Sequence, residues 1–183
     1  YKKAGVEFKY LAQRFPRNAQ LHLIQARIYI ASQHYQKAMQ AIEQAIRLKP
    51  HLLQYQLMKA NIAELLKNWH LALRIYQNLM RQYPKNRKVL LGLAKYYMQT
   101  NKLLASVNIY RHYLSLYPRD KAQWITMANI LIWLNAYERS EKVLYKYRKR
   151  FRADQAYQAP LARLYAVSVR PEKSRKLIKP LLA

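Results

Sequence analysis

Pro16, Pro50, Pro84 and Pro118 stand 34 residues apart, and that interval limits the possible folds more than any other feature of the chain. Other residues keep the same beat. Twelve positions before the prolines stand Ala4, Ala38, Ala72 and Ser106, and eight before them Phe8, Ile42, Tyr76 and Tyr110. A further small residue recurs at Ala26, Ala60, Ala94, Ala128 and Ala162. Within one interval, 19–52, two stripes run at steps of three and four: His22, Gln25, Ala26, Tyr29, then Tyr35, Ala38, Ile42, Ala45. Steps of three and four place side chains on one face of a helix. Pro50 closes the unit, since its ring and missing N–H stop a helix from continuing. The recurring unit is therefore a helix–turn–helix hairpin.

Composition agrees with an all-α chain. Gly5 and Gly92 are the only glycines, whereas a fold rich in sheets or loops uses many more in its turns. Apolar residues make up 52%, enough for a continuous core. The absence of Cys excludes disulfides and thiolate metal sites and leaves the redox compartment open. The compartment itself stays open between cytoplasm and bacterial periplasm or envelope. No run of about 18 apolar residues offers a membrane span, and no signal peptide is visible.

Two helices per 34 residues, with a small residue in each, resemble the tetratricopeptide repeat. The family pattern W-x2-L-G-x2-Y, then A-x3-F, then P, is partly met. Leu90, Leu93, Ala94 and Tyr97 fit its first part, as do Trp124, Met127 and Ala128; Ala72, Tyr76 and Pro84 fit the second. Ala replaces the family's Gly throughout, which still lets two helix backbones pass closely. The resemblance implies a right-handed α-solenoid of stacked antiparallel helix pairs. The array divides into a lone second helix over 1–18, repeats at 19–52, 53–86, 87–120 and 121–154, and an incomplete repeat at 155–183. The opening YKKAG also resembles a cloning linker, but Tyr1 and Ala4 fall on the lattice of Tyr35 and Ala38, which favours native sequence. A chain that begins in mid-hairpin, with no polar cap at either end, reads as an excerpt of a longer array whose exposed ends invite self-association. Arg152 stands where the fourth repeat's proline belongs, so that helix is expected to run on; Pro160 either delays the next helix or kinks it.

In this family the first helices line a concave face. Carried over, three rows cross the repeats. One is Leu23, Leu57, Leu91, Ile125 and Ala159; the next is the donor row Arg27, Asn61, Lys95, Asn129 and Arg163; the third is Ile30, Glu64, Met98, Ile132 and Ala166. Trp133 adds an anchor at the edge. Such a groove suits a peptide or protein partner that is acidic and carries apolar anchors. The competing reading makes the apolar rows core and leaves only the donors exposed. Some family members grip a C-terminal carboxylate with two Lys, two Asn and an Arg, but Leu23, Leu57 and Leu91 depart from that constellation, and no such clamp is expected.

Formal net charge is +26, from 34 basic and 8 acidic residues, which speaks to association with acidic partners and not to fold. The densest run is Arg139, Lys142, Lys146, Arg148, Lys149, Arg150 and Arg152, interleaved with Tyr145, Tyr147 and Phe151 and continued by Lys173, Arg175, Lys176 and Lys179. The alternative function is thus a polyanion binder, taking nucleic acid such as RNA or an acidic envelope polysaccharide, with aromatics available to stack bases. Against it, a solvated outer helix face with tyrosines turned inward gives the same pattern, and Tyr147 sits on the lattice of Ala45 and Leu79, which are core positions.

Enzyme signals are missing, and no metal or cofactor is expected. Two glycines make no phosphate-cradling loop, and His22, His34, His51, His70 and His112 show no metal-ligand spacing. Glu138 and Glu141 are neighbours one helical turn apart, but lie among Arg and Lys, which favours ion pairing over acid–base catalysis. The lattice makes one direct prediction. Ala94→Asp, by burying an unpaired charge, destabilises the chain by about 3 kcal/mol or more, and an unchanged melting temperature would remove the packing register.

Overall fold

The structure is a computed structural model, and it describes residues 10–11, 14–151 and 154–168. Among the described residues there are nine helices of two turns or more and no strand. They are α1 Ala19–Ala31, α2 Tyr35–Leu48, α3 Leu53–Leu65, α4 Trp69–Gln82, α5 Arg87–Gln99, α6 Leu103–Leu116, α7 Lys121–Trp133, α8 Tyr137–Arg150 and α9 Gln158–Val167. Odd-numbered helices are the first members of the hairpins and even-numbered ones the second. None is long and apolar enough to cross a membrane. The lone helix expected over 1–18 falls largely outside the described residues, as does everything after Ser168.

The chain forms two compact units, Tyr1–Tyr96 and Tyr97–Ala183. In the first, α1 packs on α2, α2 on α3 and α3 on α4. Its core joins Leu23 and Ala26 of α1, Ala38, Ile42 and Ala45 of α2, and Tyr55 and Ile62 of α3. In the second unit α6 packs on α7, α7 on α8, and α9 against both α7 and α8. Its core joins Ala128 and Ile132 with Leu144 and Leu164, flanked by Ile125, Val143 and Tyr157.

The small-residue rows explain how each hairpin closes. Ala26, Ala38, Ala60, Ala72, Ala94 and Ala128 have no exposed surface. Where Ser140 replaces the second-helix Ala, its hydroxyl donates to the Ala128 carbonyl at 3.0 Å, so even the polar member of the row serves the contact. A backbone carbonyl within reach of a side chain on the facing helix is possible only when neither residue is bulky.

Two local features were not legible in the spacing of the prolines. First, Gln33, Lys67, Asn101 and Asn135 all have φ between 55° and 60°, the left-handed region, and they too are 34 residues apart. Each ends a first helix. The next N–H then reaches back to a carbonyl five residues earlier: His34 to Tyr29, Asn68 to Ala63, Lys102 to Tyr97 and Ala136 to Leu131, at 2.8–2.9 Å. That is a Schellman closure, usually built on glycine, which suffers no Cβ clash there. Second, the prolines do not themselves end the second helices. The break comes one residue earlier, at Lys49 (φ −142°, ψ 78°) and Tyr83 (φ −132°, ψ 59°). A residue before proline is pushed out of the helical region. Phe151 takes the same conformation (φ −122°, ψ 61°) without a following proline, and α8 stops at Arg150. The expected run-on of that helix is therefore corrected: the Asp154 N–H bonds the Phe151 carbonyl at 2.9 Å and turns the chain. Pro160 lies in the first turn of α9, so the helix begins late and is not kinked.

First-helix starts share another device. His22, Gln56 and Trp124 occupy one lattice position, and each side-chain nitrogen lies 3.0–3.2 Å from the carbonyl of the proline six residues earlier, Pro16, Pro50 or Pro118. A carbonyl only accepts, so His22 carries its proton on Nε2.

A non-glycine residue in the left-handed region costs roughly 1–2 kcal/mol. Lys67→Gly, at an exposed position, is expected to stabilise the first unit by about 1 kcal/mol, once the glycine's extra unfolded-state entropy is set against that relief. Chemical denaturation reads this directly, and a loss of stability would contradict the turn geometry.

Candidate functional site

On the first-helix face of the first unit, the outermost row divides. Leu23 is 1% exposed and belongs to the core. Leu57 and Leu91 are half-buried, with part of each side chain open. Beside them the donor row offers exposed Arg27, half-buried Asn61 and exposed Lys95. Ile30 is half-buried against the core. In the second unit Ile125 and Met98 are half-buried, Ala159 and Arg163 are exposed, and Ile132, at 6%, is core. Trp133, the last residue of α7, is 57% exposed. Leu23 and Ile132 are therefore corrected from groove-lining residues to core residues: their neighbours on facing helices cover them. Leu57, Leu91, Ile125 and Trp133 keep surface that a partner could cover.

Glu64 behaves differently from the rest of its row. It is 7% exposed, and the Tyr76 hydroxyl of α4 donates to its Oε1 at 2.8 Å. Burial pushes its pKa above the usual carboxylate value of 4.5, with the Tyr76 hydrogen bond and the charge of Lys95 pulling the other way. Tyr76 is itself held protonated by burial and by the Glu64 carboxylate. The ring has room because residue 92 is glycine: a Cβ there would lie 2.6 Å from Tyr76 Cε1. Tyr96 packs its ring 6.2 Å from that of Tyr76 and sends its hydroxyl to the Trp69 carbonyl at 3.1 Å.

The same two lattice positions carry a different pair in each repeat. Tyr110 directs its hydroxyl at Met98 Sδ, 3.8 Å away, and the other repeats pair Ile42 with Ile30 and Leu144 with Ile132. Neither row by itself announces this pairing. The available signal was the constant separation of twelve residues, together with a glycine set in the helix after the one bulky pair that includes an acid.

In the second unit Asn129 is half-buried, yet its Oδ1 is fully covered and makes no hydrogen bond. A buried polar atom left unpaired costs about 1–3 kcal/mol.

Helix α8 carries the basic run. Arg139, Lys142, Lys146, Arg148, Lys149 and Arg150 are all exposed, with Arg148 set over the Tyr157 ring at 5.9 Å. Tyr145 is exposed. Tyr147 is fully buried, and its hydroxyl is pushed up to about 12 by burial and by Asp154. Tyr147 is thus unavailable for stacking bases. Glu141 accepts a hydrogen bond from Tyr165 at 2.8 Å, a structural role. Asp154 closes the same region: Lys121 reaches its Oδ2 at 2.6 Å and the Ala156 N–H its Oδ1 at 2.8 Å, which holds its pKa down at about 2. Arg152, Lys173, Arg175, Lys176 and Lys179 lie outside the described residues. Among the described residues no three His, Asp or Glu side chains gather where they could hold a metal ion.

The Glu64 pair has a measurable signature. A carboxyl whose pKa rises on folding lends stability fully below pH 4.5 and loses it as pH rises through the raised value. Glu64→Met, which copies the pair of the next repeat, is therefore expected to gain stability relative to the native chain between pH 4 and pH 7.5. Thermal melts at the two pH values check this; a constant difference would mean that the carboxyl titrates normally.

A tetratricopeptide repeat family model matches residues 19–52. The chain is similar in structure to MamA, residues 41 to the end, from Desulfovibrio magneticus RS-1, with TM-score 0.70 and 14% identity over 85% of this chain and 88% of that one. It is similar to YrrB, a TPR protein with an unusual peptide-binding site, with TM-score 0.67 and 10% identity over 94% and 89% of the two chains. Yeast Tom70 gives TM-score 0.68 and 15% identity, covering 98% of this chain but 39% of that one. At these identities the likeness is one of fold. No curated protein sequence matches the chain.

Proposed function

We propose that this chain, which matches the tetratricopeptide-repeat family over residues 19–52 and shares the fold of such proteins, is a non-catalytic scaffold whose first-helix face binds an acidic segment bearing apolar anchors. The observation that carries the reading is the apolar surface left open on Leu57 and Leu91, which a partner's apolar side chain can cover. In the second unit half-buried Ile125 and exposed Trp133 offer surface of the same kind. In the first unit Leu57 and Leu91 offer apolar surface beside Asn61 and Lys95, and Arg27 and Lys95 supply charge for carboxylates. YrrB supports the reading only to the extent that a protein of this fold binds a peptide.

A second reading has its own support. Six exposed cations on α8 can neutralise phosphates or the acid groups of a polysaccharide. Only Tyr145 of the run's tyrosines is exposed, which weakens the base-stacking part of that reading.

Salt separates the two. Polyanion affinity falls steeply and linearly with log salt because counterions are released; binding through apolar rows falls less. Leu57→Glu combined with Leu91→Glu is expected to abolish binding of acidic, apolar-anchored peptides at the first-helix face, read as NMR shifts of the Asn61 and Lys95 amides across a salt series, and to leave single-stranded RNA binding intact. Loss of both on mutating α8 alone, with the Leu57/Leu91 variant fully active, would overturn the first-helix reading.

A further inference from the structure

The second unit holds a cleft whose rim takes three cations from the basic run of α8 and whose floor lies beneath them. It opens between the second helices α6 and α8 and has a volume of about 730 Å³. Its rim carries four cations, Arg111 from α6 and Lys146, Lys149 and Arg150 from α8, and no acid lines it. Its floor is apolar: Leu114, Trp124 and Met127, all buried at the bottom. Trp124 is fixed there by its hydrogen bond to the Pro118 carbonyl at 3.0 Å.

The repeat lattice supplies an internal control. In the first unit a cleft that shares five of these lining positions, 68 residues earlier, measures about 170 Å³. There Gln56 stands for Trp124, Asn78 for Lys146 and Gln82 for Arg150, and no Lys, Arg, Asp or Glu lines it. At the positions of Lys146 and Arg150 the fold is satisfied by neutral side chains, and Arg111 is replaced by Glu43; Lys149 alone keeps a cation, Arg81. Four like charges around one cleft repel one another, so packing does not account for them. A ligand bearing negative charge does, since the guanidinium fork and ammonium groups make charge-assisted hydrogen bonds to carboxylates.

The floor decides which anion. A phosphodiester backbone would meet the cationic rim but has no apolar group to set on Leu114, Trp124 and Met127. A peptide that places an aromatic or branched apolar side chain between Asp or Glu residues meets both. The volume falls in the range of pockets that enclose a small ligand, which corresponds to one large side chain and its neighbours. We infer that the cleft between α6 and α8 is a second, independent docking site, taking an acidic peptide segment by one apolar anchor. The inference does not rest on the first-helix reading; the two sites use different residues and respond to different substitutions.

The test uses the whole chain and the acetylated, amidated pentapeptide Glu-Glu-Phe-Glu-Glu, with binding read by calorimetry and by the Trp124 indole N–H signal in NMR. Lys146→Asn with Arg150→Gln installs the residues of the neutral cleft at exposed helix positions, and circular dichroism confirms that the variant folds. Binding to that variant is expected to weaken by about tenfold or more, the loss of at least one charge-assisted contact. Lys149→Gln, a single exposed change, should weaken binding in the same direction. The Gly-centred peptide Glu-Glu-Gly-Glu-Glu should bind more weakly than the Phe peptide, and Leu57→Glu with Leu91→Glu should leave the Trp124 response unchanged. Equal binding by the native chain and the Asn/Gln variant would overturn the inference. So would equal binding of the Phe and Gly peptides, or displacement of the Phe peptide by a tighter-binding single-stranded pentanucleotide. If the Trp124 response vanished only in the Leu57/Leu91 variant, the peptide would belong to the first-helix face and the cleft would carry no site.

Discussion

Everything in this structure depends on how closely two helices of a hairpin can approach. The row of alanines at Ala26, Ala38, Ala60 and Ala72 sets that distance, because a larger side chain at any of them would hold the backbones apart. Ser140 shows how tight the contact is: its hydroxyl spans the gap to the Ala128 carbonyl. With the helices that close, each hairpin still buries too little to offset its ordering entropy. Residues such as Tyr55 and Ile62, which reach from one hairpin into the core of the preceding one, make the array stable. Function then falls to what projects from the faces that this packing leaves open.

The hairpins and their period were legible because they rest on residue types whose physics is local. A proline 34 residues after the last, or an alanine where only a small side chain fits, announces itself. The turn inside each hairpin was harder to read. Its left-handed residue is Gln33, Lys67, Asn101 or Asn135, never glycine, so only the two asparagines hinted at the conformation. The end of α8 shows the reverse. Proline marks this turn elsewhere, but Phe151 adopts the same backbone without it, since the following turn is held by hydrogen bonds.

Site residues were legible to a lesser degree, and for a physical reason. Position in a repeat fixes the helix face but not how deeply a side chain sinks. Leu23 and Leu57 share a lattice position, yet one is sealed and the other half open. Glu64 looked like one more member of an exposed row until its partner twelve residues on was seen to claim it. The α6–α8 cleft could not be read from the basic run alone. It needs Arg111 from another helix and Trp124 from a third, residues that only the packing of neighbouring hairpins brings together.

The pairing of Glu64 with Tyr76, and of Tyr76 with the space left by Gly92, bears on how such an array can be rearranged. A single helix moved between repeats would set a carboxylate against an aliphatic chain, or a phenol against nothing that accepts its proton. A whole hairpin could be copied without that mismatch. The second hairpin, however, fits only ahead of one whose first helix lacks a side chain at the position of Gly92; its counterparts are Ile24, Met58 and Thr126. The modules of this chain are therefore alike in outline but ordered, and shuffling the second and third would undo a fit that neither possesses alone.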